Sequence, residues 1–270
     1  MLRNLNSLVG YAIHAADGDL GKVDDFYFDD QTWTIRYIVV ATGSWLSGRR
    51  VLLSPVALGE HDWDARTLRA NLTMEQVRNS PDIDTARPVS RQHEVELSGY
   101  YAWPMYWGSG FSMGGMYGAA ALGPLMYEKV DAENDGSAPE SHDDPHLRSA
   151  RNVAGYHIAA TDGDIGHVED YIVDDQSWGL RFLVVTTRNW LPGRRVLISP
   201  HWIKRVDWSE TKVLLDLSQE AVKGSPEFDP SQPITADYDG QLHDYYGRPR
   251  GGASPPSAPC CGDESGPHTQ

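Results

Sequence analysis

The sequence predicts a mainly-β molecule made of two tandem small β-barrels, each ending in a short helical turn. Two observations carry this. Residues 8–89 recur without insertion or deletion as residues 153–234, and 36 of the 80 positions from Gly10 to Val89 are identical between the copies. Within each copy, short β-rich runs alternate with turn formers, and such strands must close or nearly close on themselves to hide their edges. The repeat exceeds the roughly 20–50 residues of a solenoid unit and suits a small self-sufficient domain.

The first copy divides as follows. Leu8 to Ile13 is a short apolar strand, stopped by Asp17-Gly18-Asp19, and Leu20 to Phe28 reads as a second strand. Asp29-Asp30-Gln31-Thr32 is a turn by composition. Trp33 to Ala41 is a third, β-rich strand, and a tip at Ser44 to Gly48 leads into a fourth, Arg49 to Leu53, ended by Ser54-Pro55. A fifth covers Thr67 to Leu72. Thr73 then N-caps a short helix, with Glu75 in its first turn, Asn79 in the C′ place and Pro81 beyond. In the second copy Gly224 stands where Asn79 does, and both residues tolerate the left-handed conformation expected there. A four-residue loop at Asp29 to Thr32 sets Phe28 opposite Trp33 and makes structural pairs of Asp25 with Arg36 and Asp170 with Arg181.

The expected boundaries are copy one at 1–92, a largely flexible linker at 93–150, copy two at 151–237 and a disordered tail at 238–270. The linker holds an aromatic, Gly-rich stretch at 98–127, and the tail is rich in Gly, Pro and Ser. Each copy has its own start, strands and stop, so residues 1–92 are expected to fold alone.

The formal charge is −15, and each repeat carries eight basic against twelve acidic side chains. That balance weighs against nucleic acid, where affinity comes mostly from cations neutralising phosphates, and against anionic lipid surfaces. The only cysteines, Cys260 and Cys261, lie in the tail, so both repeats must hold by burial, as a reducing compartment requires. The start lacks a signal-peptide core and no run of 18 apolar residues exists. A cytoplasmic location without membrane insertion is expected.

Chemistry-bearing patterns are sparse. Asp17-Gly18-Asp19 with Asp24-Asp25 does not follow the order of a calcium loop. His142 to His146 offers two imidazoles and two carboxylates in a segment read as coil, where no framework would hold a metal. The histidines do not repeat between copies, and there is no nucleophile elbow, P-loop, dinucleotide fingerprint or CxxC. Neither catalysis, cofactor nor metal is expected. The candidate binding residues are the tips, Trp45, Leu46, Arg49 and Arg50 with Trp190, Leu191, Arg194 and Arg195. Tips usually tolerate change, and an indole there is unfavourable unless it is buried or used. The bland reading is an indole folded over the barrel end, with arginines paired to rim carboxylates. The functional one is an aromatic anchor flanked by arginines.

Gly10, Asp17 to Asp25, Asp29 to Tyr37, Val39 to Pro55 and Ser80 to Asp84, each with its partner 145 positions later, form an ordered motif set that resembles the PRC-barrel family. That family takes in the cytoplasmic domain of the photosynthetic reaction-centre H subunit, the C-terminal domain of a ribosome maturation factor, and many stand-alone bacterial proteins. The resemblance implies a small barrel and a habit of binding macromolecules, and brings no catalytic residues. The expected function is a non-catalytic binding or scaffold module with a protein partner. An H-like accessory role, in peripheral contact with a membrane complex of photosynthetic electron transfer, is one alternative. A role in ribosome assembly or RNA processing is another.

Overall fold

The computed structural model describes residues 1–81, 91–106, 146–187 and 193–248. Expectations placed on 82–90, 107–145, 188–192 and 249–270 lie outside the described residues, among them Trp190, Leu191, Cys260 and Cys261.

The first half runs β1 (Leu2–Asn4), β2 (Ala12–His14), β3 (Asp19–Asp29), β4 (Thr34–Ala41), β5 (Arg50–Leu53), β6 (Leu58–Asp62), β7 (Thr67–Ala70), α1 (Met74–Arg78) and α2 (Arg91–Tyr101). The second runs β8 (Leu147–Ser149), α3 (Ala150–Val153), β9 (His157–Ala160), β10 (Gly163–Asp174), β11 (Leu180–Thr187), β12 (Arg194–Ile198), β13 (Ile203–Asp207), β14 (Lys212–Leu215), α4 (Gln219–Gly224) and α5 (Ala236–Tyr246). Each half builds a mixed sheet, in the order β5-β4-β3-β2-β7-β6 and β12-β11-β10-β9-β14-β13, with β2–β7 and β9–β14 parallel.

The rows stay open. Among the described residues β5 and β6 are the ends of one row and do not pair, so no closed barrel forms. The chain between them is a 3-10 turn at Pro55–Ala57, capped by the Ser54 hydroxyl. It redirects the strand where a hairpin would have joined the two edges.

Asp29 fixes the long hairpin. Its carboxylate accepts the N–H groups of Gln31 (3.0 Å) and Thr32 (2.8 Å) and the Thr32 hydroxyl (2.9 Å). Trp33 then takes a left-handed φ of 51° and stacks on Phe28 at 5.3 Å. Asp29 therefore closes the ladder against Thr34, Phe28 faces Ile35, and shifts in register follow on both strands. This corrects the expected pairs. Asp25 lies opposite Val39 and Asp170 opposite Val184, while Arg36 and Arg181 fall in the irregular steps of their strands. The loop keeps four residues but starts one later, at Asp30, because Asp29 stays in the ladder and Trp33 joins the turn, and the irregularities absorb the rest of the offset.

The helix expected at Thr73 is present, with Thr73 and Gln76 forming a capping box. Its C-terminus differs: Asn79 has φ −89°, and Gly224 is the last residue of α4. A Cβ at Gly224 would meet the hydroxyl of the exposed Tyr245, which would have to shift.

The repeats are not beads on a string. β1 adds to the sheet of the second half, with Leu2↔Asp174, Arg3↔Val173 and Asn4↔Ile172. Reciprocally, β8 adds to the first half, with Leu147↔Asp29, Arg148↔Phe28 and Ser149↔Tyr27. Between the two exchanges, Thr34 bridges Gly179. There the Ile35 N–H donates to the Trp178 carbonyl (2.8 Å) and the Leu180 N–H to the Trp33 carbonyl (2.7 Å). Residues related by the repeat offset thus exchange the same bonds, as around a two-fold axis. One apolar cluster, holding Phe26, Phe28, Ile35, Tyr171, Trp178 and Phe182, runs through both halves. The expected boundaries at 92 and 151 are crossed by α2 and by α3, β8 lies in what was read as linker, and α5 runs from 236 to 246 across the expected boundary at 237.

Candidate functional site at the tips and the exchanged strands

The tip of repeat one is a 3-10 turn, Gly43–Leu46, closed by Ser47 with φ 54° and Gly48 with φ 72°. The turn folds Trp45 back. Its indole N–H donates to the Leu20 carbonyl at 2.7 Å, and the half-buried ring and Leu46 pack against the core. The arginines have internal tasks. Arg49 donates to the carbonyls of Arg78 (3.3 Å), Ser80 (2.8 Å) and Pro81 (2.6 Å), closing the end of α1. Arg194 repeats this on α4, donating to Lys223 (2.6 Å) and to the Ser225 carbonyl. Arg50 pairs with Asp24 at 2.8 Å and Arg195 with Glu169 at 2.7 Å. The Arg195 guanidinium beside Glu169 holds that carboxyl below its ordinary range.

Asp25 and Asp170, set free from the arginines expected opposite them, anchor the exchange. The Asp25 carboxylate accepts the Ser149 hydroxyl (2.5 Å) and the Arg151 N–H (3.1 Å), and Asp170 accepts the N–H of Asn6 (3.0 Å) and of Tyr171 (2.7 Å). Burial pushes the Asp170 carboxyl up to about 6, against the pull of those N–H groups. Two bridging arginines complete the seam. Arg3 reaches Asp175 at 2.8 Å while lying 3.8 Å over the Trp63 ring. Arg148 reaches Asp30 at 2.8 Å and lies 4.2 Å over Trp208.

Sequence reading named Asp25 and Asp170, for other partners, and missed Arg3 and Arg148. A faint signal existed: Leu2-Arg3 recurs as Leu147-Arg148, and Leu97, Tyr100 and Tyr101 of α2 recur as Leu242, Tyr245 and Tyr246 of α5. Extending the repeat to both flanks would have exposed it. Among the described residues no three His, Cys, Asp or Glu side chains gather as a metal site, and no helix is long and apolar enough to cross a membrane.

Compared with protein families, residues 2–65 match the PRC-barrel domain. The match covers the first repeat only; the second is tied to it by the internal identity and by the same strand order. A comparison with curated proteins gives no match.

Proposed function

We propose that this chain, whose residues 2–65 carry a PRC-barrel domain, is a non-catalytic binding or scaffold module for a cytoplasmic protein partner. The observation that carries the reading is how the charged side chains are used. Asp24, Asp25, Asp30, Glu169, Asp170 and Asp175 all hold strands, turns or the partner repeat, which describes a scaffold better than a reaction centre. The formal charge of −15 favours a partner with a basic face and disfavours RNA. At the tips, with the arginines engaged internally, the half-exposed Trp45 and Leu46 and their counterparts Trp190 and Leu191 are the contact we assign.

Affinity capture with the intact chain after nuclease treatment tests this. The expected result is one protein held near equal stoichiometry, and lost when Leu46→Glu and Leu191→Glu are combined in a chain that still unfolds cooperatively. Capture that disappears with nuclease, or co-sedimentation with ribosomal subunits, would replace this reading with the RNA-assembly alternative. Recovery in a pigment–membrane fraction would replace it with the H-like alternative.

A further inference from the structure

The two-fold relation between the repeats ought to make two equivalent clefts beside the seam. They are not equivalent. One is a cleft of about 480 Å³ lined by Arg36, His61, Trp103, Tyr106 and Trp178. Its counterpart, around Arg181, Phe182, His201 and His243, holds about 130 Å³. The substitutions responsible sit at matched positions. Trp202 stands where repeat one has Ala57, and His243 where it has Ser98. The Trp202 indole is buried against His243 (5.5 Å) and Tyr246 (4.5 Å), and among the described residues no side chain of that size takes the matching place on the first side, where Ala57 stands. The larger cleft falls within the roughly 300–1,000 Å³ of small-ligand sites.

Its polar groups are unfinished. The Arg36 Nε is buried without an acceptor, and the His61 Nδ1 is buried without a partner. Arg36 is otherwise held in place: its terminal nitrogen donates to the Thr32 hydroxyl (3.0 Å) and its guanidinium lies 3.8 Å over the Tyr106 ring. Tyr106 is fixed in turn by donating to Glu94 at 2.7 Å. Among the described residues no carboxylate pairs with Arg36. Asp175 also lines the cleft but is engaged by Arg3 and the N-terminal ammonium. A buried donor left unmade costs its full desolvation, and such groups call for a partner. The guanidinium fork matches a carboxylate's two oxygens. The indoles of Trp103 and Trp178 and the Tyr106 ring give the same cleft aromatic walls, which favour a flat ligand.

We infer that the cleft between the repeats binds a small planar carboxylate, with Arg36 gripping the carboxylate, His61 donating to it and the Trp103, Tyr106 and Trp178 rings enclosing the flat body. Burial lowers the His61 pKa, so the always-charged Arg36 guanidinium supplies the charge recognition. The opposite side, filled by Trp202 and His243, takes none.

Calorimetric titration of the full chain with 2-naphthoate, and with 2-naphthamide as its uncharged counterpart, tests the assignment. The expected result is one naphthoate site per chain, binding tighter than about 1 mM and clearly preferred over the amide. Arg36→Gln should weaken it by about tenfold or more, and Arg36→Lys, which keeps the charge but loses the fork, should fall between. Arg181→Gln, on the opposite side, should leave it unchanged. Equal binding of naphthoate and naphthamide would reduce the cleft to an apolar trap and overturn the proposal. So would naphthoate affinity indifferent to Arg36→Gln and Arg36→Lys, or the absence of any heat of binding.

Discussion

Asp25 and Asp170 do the same work for opposite repeats, each accepting an N–H from the other repeat's first turn. For Asp170 the burial has a thermodynamic consequence. Its folded value of about 6 lies above the ordinary 3.8, so the folded chain holds this proton more tightly than the unfolded chain does. The contribution is fully present below the unfolded value and is lost as pH rises through about 6. Asp170→Asn keeps an acceptor oxygen and removes the buried charge. It should stabilise the protein at pH 8 by up to about 2–3 kcal/mol and change little at pH 4, as read from denaturant midpoints at the two pH values. An equal loss of stability at both would show that the ionised carboxylate is required. Trp45 makes the opposite case, a residue offered as an anchor whose polar handle is already taken. Trp45→Ala should cost about 3 kcal/mol, and an unchanged denaturant midpoint would release the indole for a partner.

Among the elements, the hairpin β3–β4 shows what patterning can and cannot read. Both strands, the Asp29 turn and the capped α1 were legible, because each rests on local composition. The register was not. Whether Asp29 ends a strand or opens a turn is decided by its carboxylate taking the N–H groups of Gln31 and Thr32, and that choice moves Asp25 away from Arg36. β6 was missed because Gly59, Glu60 and Asp62 carry no apolar alternation. At Gly21 and Gly166 the strands approach so closely that a Cβ would collide with the carbonyls of Ala41 and Thr186. Gly21→Ala should therefore destabilise the protein by several times the roughly 1 kcal/mol of an ordinary Gly-to-Ala effect, measured by thermal unfolding; a neutral result would contradict the close crossing. For β1 and β8 the holding pieces are Arg3 and Arg148. Removing both as Arg3→Ala with Arg148→Ala should speed amide exchange at Leu2–Asn4 and Leu147–Ser149 while leaving Val39 and Val40 protected. Uniform acceleration would mean that the exchanged strands have no local stability of their own.

The molecule is one body with internal two-fold symmetry, and this was the least legible level. Because the copies are so alike, β1 can add to the sheet of either one with similar side chains facing it. Local pattern holds no information about which it chooses. The long connection between repeats looked like a spacer by composition, although α2 and β8 at its ends carry the buried Leu97 and Leu147. The same symmetry made the two unequal clefts visible, since it says what each side should look like. The exchange of β1 and β8 requires that neither repeat fold fully without the other. Sedimentation analysis of residues 1–106 and 146–248, separately and mixed, tests this directly. Each fragment has a strand to give and a sheet edge that needs one. The exchanged strands predict that neither is a cooperatively folded monomer, that either alone self-associates through them, and that mixing yields a 1:1 complex melting near the intact chain. A monomeric 1–106 fragment that unfolds cooperatively at the melting temperature of the whole protein would contradict the exchange.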